Sequence, residues 1–164
     1  PNWGGSSKGI KFISNNSELK KMLNNNKILI EEIINGRELT VTVIENKSQL
    51  KALGVTEIEF NNKHYDYHAK YTKNKSTHFL PARISKVQYN FLIKISKKIF
   101  QVCNCRGIAR LDYILSEKTG EIFFLEMNTH PGLTKISLAP EQANFCNLTY
   151  MHLLKQIIIS SLWS

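Results

Sequence analysis

The length and composition of the chain indicate a soluble globular domain, or one domain with a piece of another, because 164 residues with 42% hydrophobic content can bury a core. No apolar run is long enough to span a membrane and no secretory leader is visible, so no membrane partner is expected. Lys and Arg total 22 against 13 Asp and Glu, but the lysines are spread singly, which favours a lysine-rich surface over a nucleic-acid-binding stripe.

Cysteine and histidine show no ligand pattern. The three cysteines, Cys103, Cys105 and Cys146, have the spacing of neither a disulfide framework nor a zinc site. The five histidines are scattered, whereas a metal site needs converging ligands. The cysteine count and spacing predict a reduced, cytoplasmic protein.

In the first half of the chain the predicted elements are a helix, two strands and a loop. The stretch "NNSELKKMLNNN" predicts a short helix capped near Asn16 or Ser17. The stretches "KILIEEI" and "ELTVTVIE" predict two strands joined by an Asn-Gly turn. Residues 61–86 have no clean period and contain Pro81, so they predict a long loop, which in a compact domain is often functional.

The second half predicts two helices on either side of a hairpin. Apolar residues recur at helical spacing in "KVQYNFLIKISKKIFQVC" and again in "YMHLLKQIIISSLW". Between them, "RGIARLDYILSEKTGEIFFLEMN" predicts two strands and a tight turn. If residues 118–120 form the turn, with its glycine left-handed, Asp112 lies opposite Glu126 and Arg110 opposite Asn128, all on one face.

This hairpin predicts a cation site. Two opposed carboxylates repel each other unless a cation lies between them or one is protonated. Oxygen ligands from Asp, Glu and Asn suit a hard ion such as Mg²⁺, which usually keeps waters and ligand phosphates as well. The hairpin therefore predicts a Mg-nucleotide site. The alternative is a salt bridge from Arg110 to Asp112 or Glu126 on a solvated sheet face.

A glycine-rich stretch, "WGGSSKGI", lies at the N-terminal end. Its backbone N–H groups and the hydroxyls of Ser6 and Ser7 are able to surround a phosphate. The spacing is not that of a P-loop, so this stretch alone favours a plain flexible turn.

Six segments in order resemble the D-alanine–D-alanine ligases, ATP-grasp enzymes of bacterial cell-wall synthesis: "GGSSKGI", "LIEEIINGRELTV", "YDYHAKY", "PARIS", "ARLDYIL" and "EMNTHPGLTKISLAP". The combination of "YDYHAKY" with "EMNTHPGLTKISLAP" is specific to these ligases. The resemblance implies an α+β fold of ATP-grasp type, with an antiparallel sheet flanked by helices. It assigns residues 1–38 to a central subdomain and residues 39–164 to a C-terminal domain.

The resemblance also implies the reaction. ATP phosphorylates the carboxylate of one D-alanine, and the amine of a second attacks the acyl phosphate to give D-alanyl-D-alanine for peptidoglycan. The implied cofactors are ATP and two Mg²⁺ or Mn²⁺ ions. The implied assembly is a cytoplasmic homodimer with no nucleic-acid or membrane partner.

The implied site residues fall into four groups. The metal ligands are Asp112, Glu126 and Asn128; the catalytic residues are Ser6, Tyr71, Arg110 and Gly132; the nucleotide-binding residues are Ser7, Glu31, Glu32, Ile34, Glu38, Tyr65 and Lys70; and the substrate-binding residues are Ser137 and Leu138. Arg110 and the backbone N–H of Gly132 stabilise the tetrahedral oxyanion in this scheme. Ser137 and Leu138 receive the carboxylate of the second D-alanine.

The remaining roles concern the nucleotide and the predicted loop. Glu38 accepts from the ribose hydroxyls, while the segment around Glu31 contacts adenine. Tyr71, in a loop that closes over the phosphates, hydrogen-bonds to Ser6 and marks D-alanine as the second substrate. The chain departs from many relatives at Ile33, where they carry an aromatic residue, and at His68, where they often carry Glu.

Without the resemblance, alternatives stay open. Glu31 and Glu32 also fit a strand-edge charge pair, and Ser137 fits a loop-capping hydroxyl. Another ATP-grasp carboxylate–amine ligase, or a non-catalytic nucleotide- or nucleic-acid-binding module, is the competing function. In the family a phosphate-binding lysine and an N-terminal domain precede the position of Pro1, so we expect a fragment that is inactive alone.

Overall fold

The computed structural model describes residues 10–13, 15–23, 28–46, 49–60 and 76–161. They belong to two compact units. One comprises Pro1–Ile34 and Phe60–Ser76, and the other comprises Asn35–Glu59 and Thr77–Ser164. The predicted assignment of residues 1–38 and 39–164 to a central and a C-terminal domain stays a prediction.

In the first unit the predicted helix is present as α1 (Asn16–Leu23). Its cap is Asn15, one residue before the predicted position, since the Asn15 side-chain oxygen accepts from the Glu18 N–H at 2.9 Å. The prediction of a strand at "KILIEEI" is wrong, because residues 28–35 form no regular element. A strand needs a neighbour for its backbone hydrogen bonds, and these residues pair with none of the described strands.

The second unit is built on a five-stranded sheet with the strand order β3-β2-β1-β4-β5. The strands are β1 (Gly36–Asn46), β2 (Gln49–Phe60), β3 (Ser76–Phe79), β4 (Ile108–Ser116) and β5 (Ile122–Asn128). The helices in the described part of this unit are α2 (Lys86–Val102), α3 (Leu138–Phe145) and α4 (Tyr150–Ser161). Strand β1 pairs antiparallel with β2 and β4, and β4 with β5. The α+β class, with an antiparallel sheet flanked by helices, is confirmed.

Several boundaries differ from the prediction. Strand β3 lies inside the predicted loop of residues 61–86, and β2 was not predicted because Gly54 and charged residues interrupt its alternation. Gly36 begins β1 instead of forming a turn. It lies against β4, where an added Cβ would collide with the Leu115 carbonyl oxygen. No helix in the described ranges is long and apolar enough to cross a membrane.

Alternation along β1 and β4 gives the sheet two different faces. On one face, Leu39, Val41, Leu111 and Tyr113 form a core with Leu92 and Phe100 of α2. On the other, Ile44 and Ile108 pack with Ala139 and Ala143 of α3 and Leu153 of α4. Further along this second face, the same strands carry Thr40, Thr42, Arg110 and Asp112. We call this stretch the polar face.

A glutamine from α3 hydrogen-bonds to the backbone of β1 at the point where β2 bulges. Strand β2 has an extra residue beside Gly54 (φ 135°), opposite Thr42. The Thr42 N–H donates to Gln142 Oε1 at 2.7 Å. Gln142 Nε2 donates to the Thr40 carbonyl oxygen at 3.1 Å and to Thr56 Oγ1 at 2.9 Å. These buried hydrogen bonds attach α3 to the sheet.

We expect Gln142→Leu to destabilise this unit, since each buried donor or acceptor left without a partner costs about 1–3 kcal/mol. The measurement is urea unfolding followed by circular dichroism. Gln101→Leu, on an exposed position of α2, is the matched control and should change the free energy of unfolding by less than about 0.5 kcal/mol. Equal unfolding midpoints for the two variants would contradict the role of Gln142.

A buried carboxylate ties β1 and β2 to the segment before α2. The Glu57 side chain is 3% exposed and accepts from Arg37 Nη2 at 2.7 Å and from Arg83 Nη2 at 2.8 Å. The Arg83 backbone N–H also donates to it, at 3.1 Å. Burial by itself raises the pKa of Glu57, but the hydrogen bonds from Arg83 and Arg37 outweigh burial and lower the pKa to about 2.

The decrease of the free energy of unfolding at acidic pH should reveal the contribution of Glu57. Because its pKa is lower in the folded state than its ordinary value of 4.5, the stabilisation is present above pH 4.5 and is lost as the pH falls towards about 2. Free energies of unfolding across this window should decrease less steeply with acid in Glu57→Gln than in the wild type. Glu59→Gln, at a position 57% exposed, is the control. A wild-type slope in Glu57→Gln would show that Glu57 is not responsible.

Candidate active site

The hairpin of β4 and β5 brings together the four residues predicted to face one another. Arg110 pairs with Asn128 and Asp112 with Glu126, which confirms the predicted register. Cross-strand partners share a face, so all four lie on the polar face.

The register arises differently from the prediction. Near the turn, Tyr113 pairs with Phe124, one residue out of the predicted alignment. The Ser116 N–H donates to the Glu121 carbonyl oxygen at 2.9 Å, so the turn has four residues and not three. Gly120 is left-handed, as predicted (φ 71°). An extra residue in β5, Leu125, restores the predicted pairing at Asp112.

The bulge at Leu125 also decides which way Glu126 faces. Residues two apart in a regular strand share a face, so Phe124 and Glu126 would lie together without it. With it, Phe124 lies on the side of Tyr113, and the two ring centroids are 5.5 Å apart. Glu126 lies on the opposite side, with Asp112. One extra residue therefore separates an aromatic contact from the carboxylate pair.

Arg110 compensates one of the two opposed carboxylates. Its Nε lies 2.9 Å from Asp112 Oδ1 and its Nη2 lies 2.7 Å from Oδ2. The two side chains are 18% and 17% exposed. The salt bridge considered as an alternative is thus present, with Asp112 as the partner, but on a largely covered surface. The exposed Glu126 carboxylate has no hydrogen bond or ion pair among the described side chains.

The donor set on this face fits a hard divalent cation. Asp112, Glu126 and Asn128 offer oxygen atoms only, as Mg²⁺ and Mn²⁺ prefer. The His130 N–H donates to Asn128 Oδ1 at 2.9 Å and orients that amide. The described residues contain no group of three His, Cys, Asp or Glu side chains placed to hold a metal. The two carboxylates and the amide remain the predicted ligands.

The loop after β5 brings Gly132 and Ser137 together. A Cβ at Gly132 would lie 2.8 Å from Ser137 Oγ, so a larger residue would displace that hydroxyl. Ser137 is the N-cap of α3, but its hydroxyl makes no capping hydrogen bond. Instead, Ser137 Oγ contacts Thr134 Oγ1 at 2.8 Å, within the loop. Leu138 is the first residue of α3. The first turn of α3 therefore has no side-chain cap from Ser137.

The predicted nucleotide-binding residues that the structure describes lie in β1 and in the irregular residues 28–35. Half-buried Glu38 lies in β1, two residues from Thr40 and on the same face. Glu31 and Glu32 are exposed, and Ile34 is half-buried, in the irregular stretch of the other unit. Five predicted site residues lie outside the described part of the chain: Ser6, Ser7, Tyr65, Lys70 and Tyr71.

The sequence did not reveal the residues that support Asp112. Thr40 Oγ1 lies 2.6 Å from Asp112 Oδ1. The alternation in "TVTV" indicates that Thr40 and Thr42 share a face, but the pairing of β1 with β4 was needed to place Asp112 beside Thr40. His78 Nδ1 and Glu141 Oε2, 2.9 Å apart, form another unpredicted contact, between β3 and α3.

Comparisons with known proteins agree on one class. The family model "D-ala D-ala ligase C-terminus" matches residues 1–159. The chain is 42% identical over 132 residues to the D-alanine–D-alanine ligase of Rickettsia massiliae, covering 80% of this chain and 40% of that protein. For the ligase of Rickettsia canadensis the identity is 41%, with 80% and 36% covered.

Solved structures give the same result. A D-alanine–D-alanine ligase from Bacillus anthracis superposes with a TM-score of 0.77 at 30% identity, covering 99% of this chain and 53% of that one. The VanG D-Ala:D-Ser ligase from Enterococcus faecalis superposes with a TM-score of 0.65 at 32% identity, covering 77% and 36%.

The sheet, its flanking helices and these structural matches define an ATP-grasp fold. Within that class, the chain belongs to the D-ala D-ala ligase C-terminus family. It spans about 40% of the length of the curated relatives it matches.

Removing the positive charge of Arg110 should leave the repulsion between the Asp112 and Glu126 carboxylates uncompensated. We expect Arg110→Met to lower the free energy of unfolding by about 1.5–3 kcal/mol, the range for a hydrogen bond to a charged group. Added Mg²⁺ should restore part of the loss by supplying positive charge.

The control is Arg106→Met, where an arginine that is 57% exposed pairs with Glu45. This change should cost at most about 1 kcal/mol. Urea titrations with EDTA and with Mg²⁺ provide the comparison, and equal losses without a Mg²⁺ effect would rule out the proposed charge compensation.

Proposed function

We propose that the protein containing this chain is a D-alanine–D-alanine ligase. In this proposal it joins two D-alanines through an acyl phosphate, at the expense of ATP, for peptidoglycan synthesis in the cytoplasm. One observation carries the proposal: Asp112 and Glu126 are directly opposed, and Arg110 and Asn128 lie beside them on the same face. This arrangement occurs in a chain of the ligase family.

Asp112, Glu126 and Asn128 are the proposed ligands of two Mg²⁺ or Mn²⁺ ions. Such ions, when bound, neutralise the ATP phosphates and orient the transferred phosphoryl group. Glu126 is suited to this task because its carboxylate is exposed and its charge is not compensated by a described side chain. Asn128 contributes an oriented neutral oxygen, since the His130 N–H holds its amide.

In this proposal, Arg110 and Gly132 stabilise the negative charge that develops during amide formation. Arg110 is held by hydrogen bonds from its Nε and Nη2 to the Asp112 carboxylate, so its guanidinium is positioned before a substrate binds. A preorganised cation needs little rearrangement when an oxyanion forms. Gly132 contributes its backbone N–H, and the absence of a side chain allows the close approach of Ser137 that the loop requires.

Ser137 and Leu138 are the proposed site for the carboxylate of the second D-alanine. The start of a helix favours negative charge, and the Ser137 hydroxyl is not used to cap α3. The proximity of Gly132 to Ser137 supports a shared substrate site.

The proposed nucleotide-binding roles follow the family resemblance. Glu31, Glu32 and Ile34 contact adenine in this proposal, and Glu38 binds the ribose. Ser7, Tyr65 and Lys70 are the other proposed nucleotide-binding residues. Ser6 and Tyr71 are proposed catalytic residues, with Tyr71 in a loop that closes over the phosphates. We propose D-alanine as the second substrate on the match at Tyr71, and a homodimer as the assembly. The similarity to a D-Ala:D-Ser ligase makes D-serine the alternative second substrate.

Titration calorimetry of Mg-ATP on this chain tests the metal and nucleotide site. Asp112→Asn and Glu126→Gln should each weaken binding by about tenfold or more, since each removes a charged ligand. Glu121→Gln, at an exposed carboxylate near the turn of the same hairpin, should leave it unchanged. Unchanged affinity in both site variants would be incompatible with the proposal.

The substrate is tested on the protein that contains this chain. Release of phosphate from ATP should depend on D-alanine, and mass spectrometry should identify D-alanyl-D-alanine as the product. If D-alanine and D-serine are supplied at equal concentration, a larger yield of D-alanyl-D-serine than of D-alanyl-D-alanine would favour D-serine as the second substrate.

A further inference from the structure

Thr40 lies between the proposed metal ligand Asp112 and helix α3. Its side chain is completely buried. Its hydroxyl oxygen lies 2.6 Å from Asp112 Oδ1 and 3.3 Å from the Leu111 carbonyl oxygen. Its own carbonyl oxygen accepts from Gln142 Nε2 at 3.1 Å. Thr40 thus has one contact with the site and another with the helix.

The direction of the contact with Asp112 follows from its surroundings. Arg110 donates to both oxygens of the Asp112 carboxylate. The hydrogen atom between Thr40 and Asp112 is therefore that of the Thr40 hydroxyl. A separation of 2.6 Å is typical of a hydroxyl that donates to an ionised oxygen, and it is much shorter than the contact with the Leu111 carbonyl.

We propose that Thr40 is a positioning residue, which fixes the orientation of the Asp112 carboxylate for a divalent cation. This inference rests on the proposed function of Asp112. Arg110 comes from the same strand as Asp112 and has a long side chain. Thr40 comes from the neighbouring strand, and its branched Cβ restricts rotation of the hydroxyl. Two donors from different strands restrict the carboxylate more than one does, as is usual for partners of metal ligands.

The connection continues from Thr40 into α3. Gln142 bonds to the carbonyl oxygen of Thr40 and to the N–H of Thr42. The helix that carries Gln142 begins directly after Ser137, the proposed binding residue for a substrate carboxylate. Thr40 and Gln142 together therefore set the position of the metal carboxylate relative to the loop of Ser137.

Thr42 provides an unusually close control. It lies two residues from Thr40 on the same strand and face, and it is also completely buried. Unlike Thr40, its hydroxyl has no hydrogen-bond partner in the described structure. Replacement of either threonine by valine changes a hydroxyl to a methyl group at nearly constant volume. The two variants differ in whether a hydrogen bond to Asp112 is lost.

The experiment measures Mn²⁺ binding to this chain by electron paramagnetic resonance of the free ion, with circular dichroism to confirm folding. Thr40→Val should weaken Mn²⁺ binding by about 10–100-fold, the usual effect of removing a partner of a metal ligand. Thr42→Val should bind as the wild type does. Thr40→Ser should retain the affinity and Thr40→Ala should lose it. This second pair decides the matter if Thr40→Val does not fold, because both variants lack the methyl group and only one keeps the hydroxyl.

The outcomes separate this inference from the function on which it rests. If the wild type binds Mn²⁺ and the serine and alanine variants bind equally well, the role of Thr40 is overturned while the metal site stands. If the wild type and Glu126→Gln both fail to bind Mn²⁺, with and without ATP, the metal site is overturned and this inference with it. Loss of affinity in Thr40→Val and Thr42→Val alike would indicate a general packing effect and would also overturn the proposal.

Discussion

The strict alternation of side chains along β1 and β4 is the constraint on which the rest of the second unit depends. These strands pair over nine consecutive residues without irregularity, from Gly36 opposite Ser116 to Ile44 opposite Ile108. One face supplies the core beneath α2, and the other meets α3 and α4. Because the faces are independent, the second face changes from apolar to polar without disturbing the core behind it. A charged site therefore forms on a rigid support.

The charges on the polar face determine that the site favours a cation. Two opposed carboxylates on neighbouring strands are unfavourable in themselves. The protein compensates one of them with Arg110 and with the hydroxyl of Thr40, whereas the Glu126 carboxylate remains exposed. This asymmetry leaves negative charge at a place where oxygen donors converge. The same repulsion is the reason that a bound cation should stabilise the site. It is also the reason that Arg110 matters most for stability when no cation is bound.

Two bulges adapt the sheet to the site. The extra residue beside Gly54 lies opposite Thr42, whose N–H donates to Gln142 and so connects the sheet to α3. The extra residue at Leu125 turns Glu126 to the polar face while Phe124 stays beside Tyr113. Bulges of this kind often lie next to functional sites, where they redirect a side chain. Here each one acts within a few residues of Asp112 or its supporting contacts.

The sequence by itself determined the features that depend on short separations. The helices Lys86–Val102 and Tyr150–Ser161 follow from their apolar period, and the hairpin of β4 and β5 follows from two strand-forming stretches that are adjacent in the chain. The predicted pairing of Asp112 with Glu126 is present, but it depends on a four-residue turn whose offset is cancelled by the bulge at Leu125. The motifs that carry the family resemblance were equally visible. Local patterns failed at residues 28–35, where strand-like residues have no described strand to pair with. Only the tertiary structure decided that Thr40 contacts Asp112, 72 residues away, and that Gln142 contacts Thr42, 100 residues away. Such contacts depend on strand order and on bulges, and these arise from the packing of the whole sheet instead of from any local pattern.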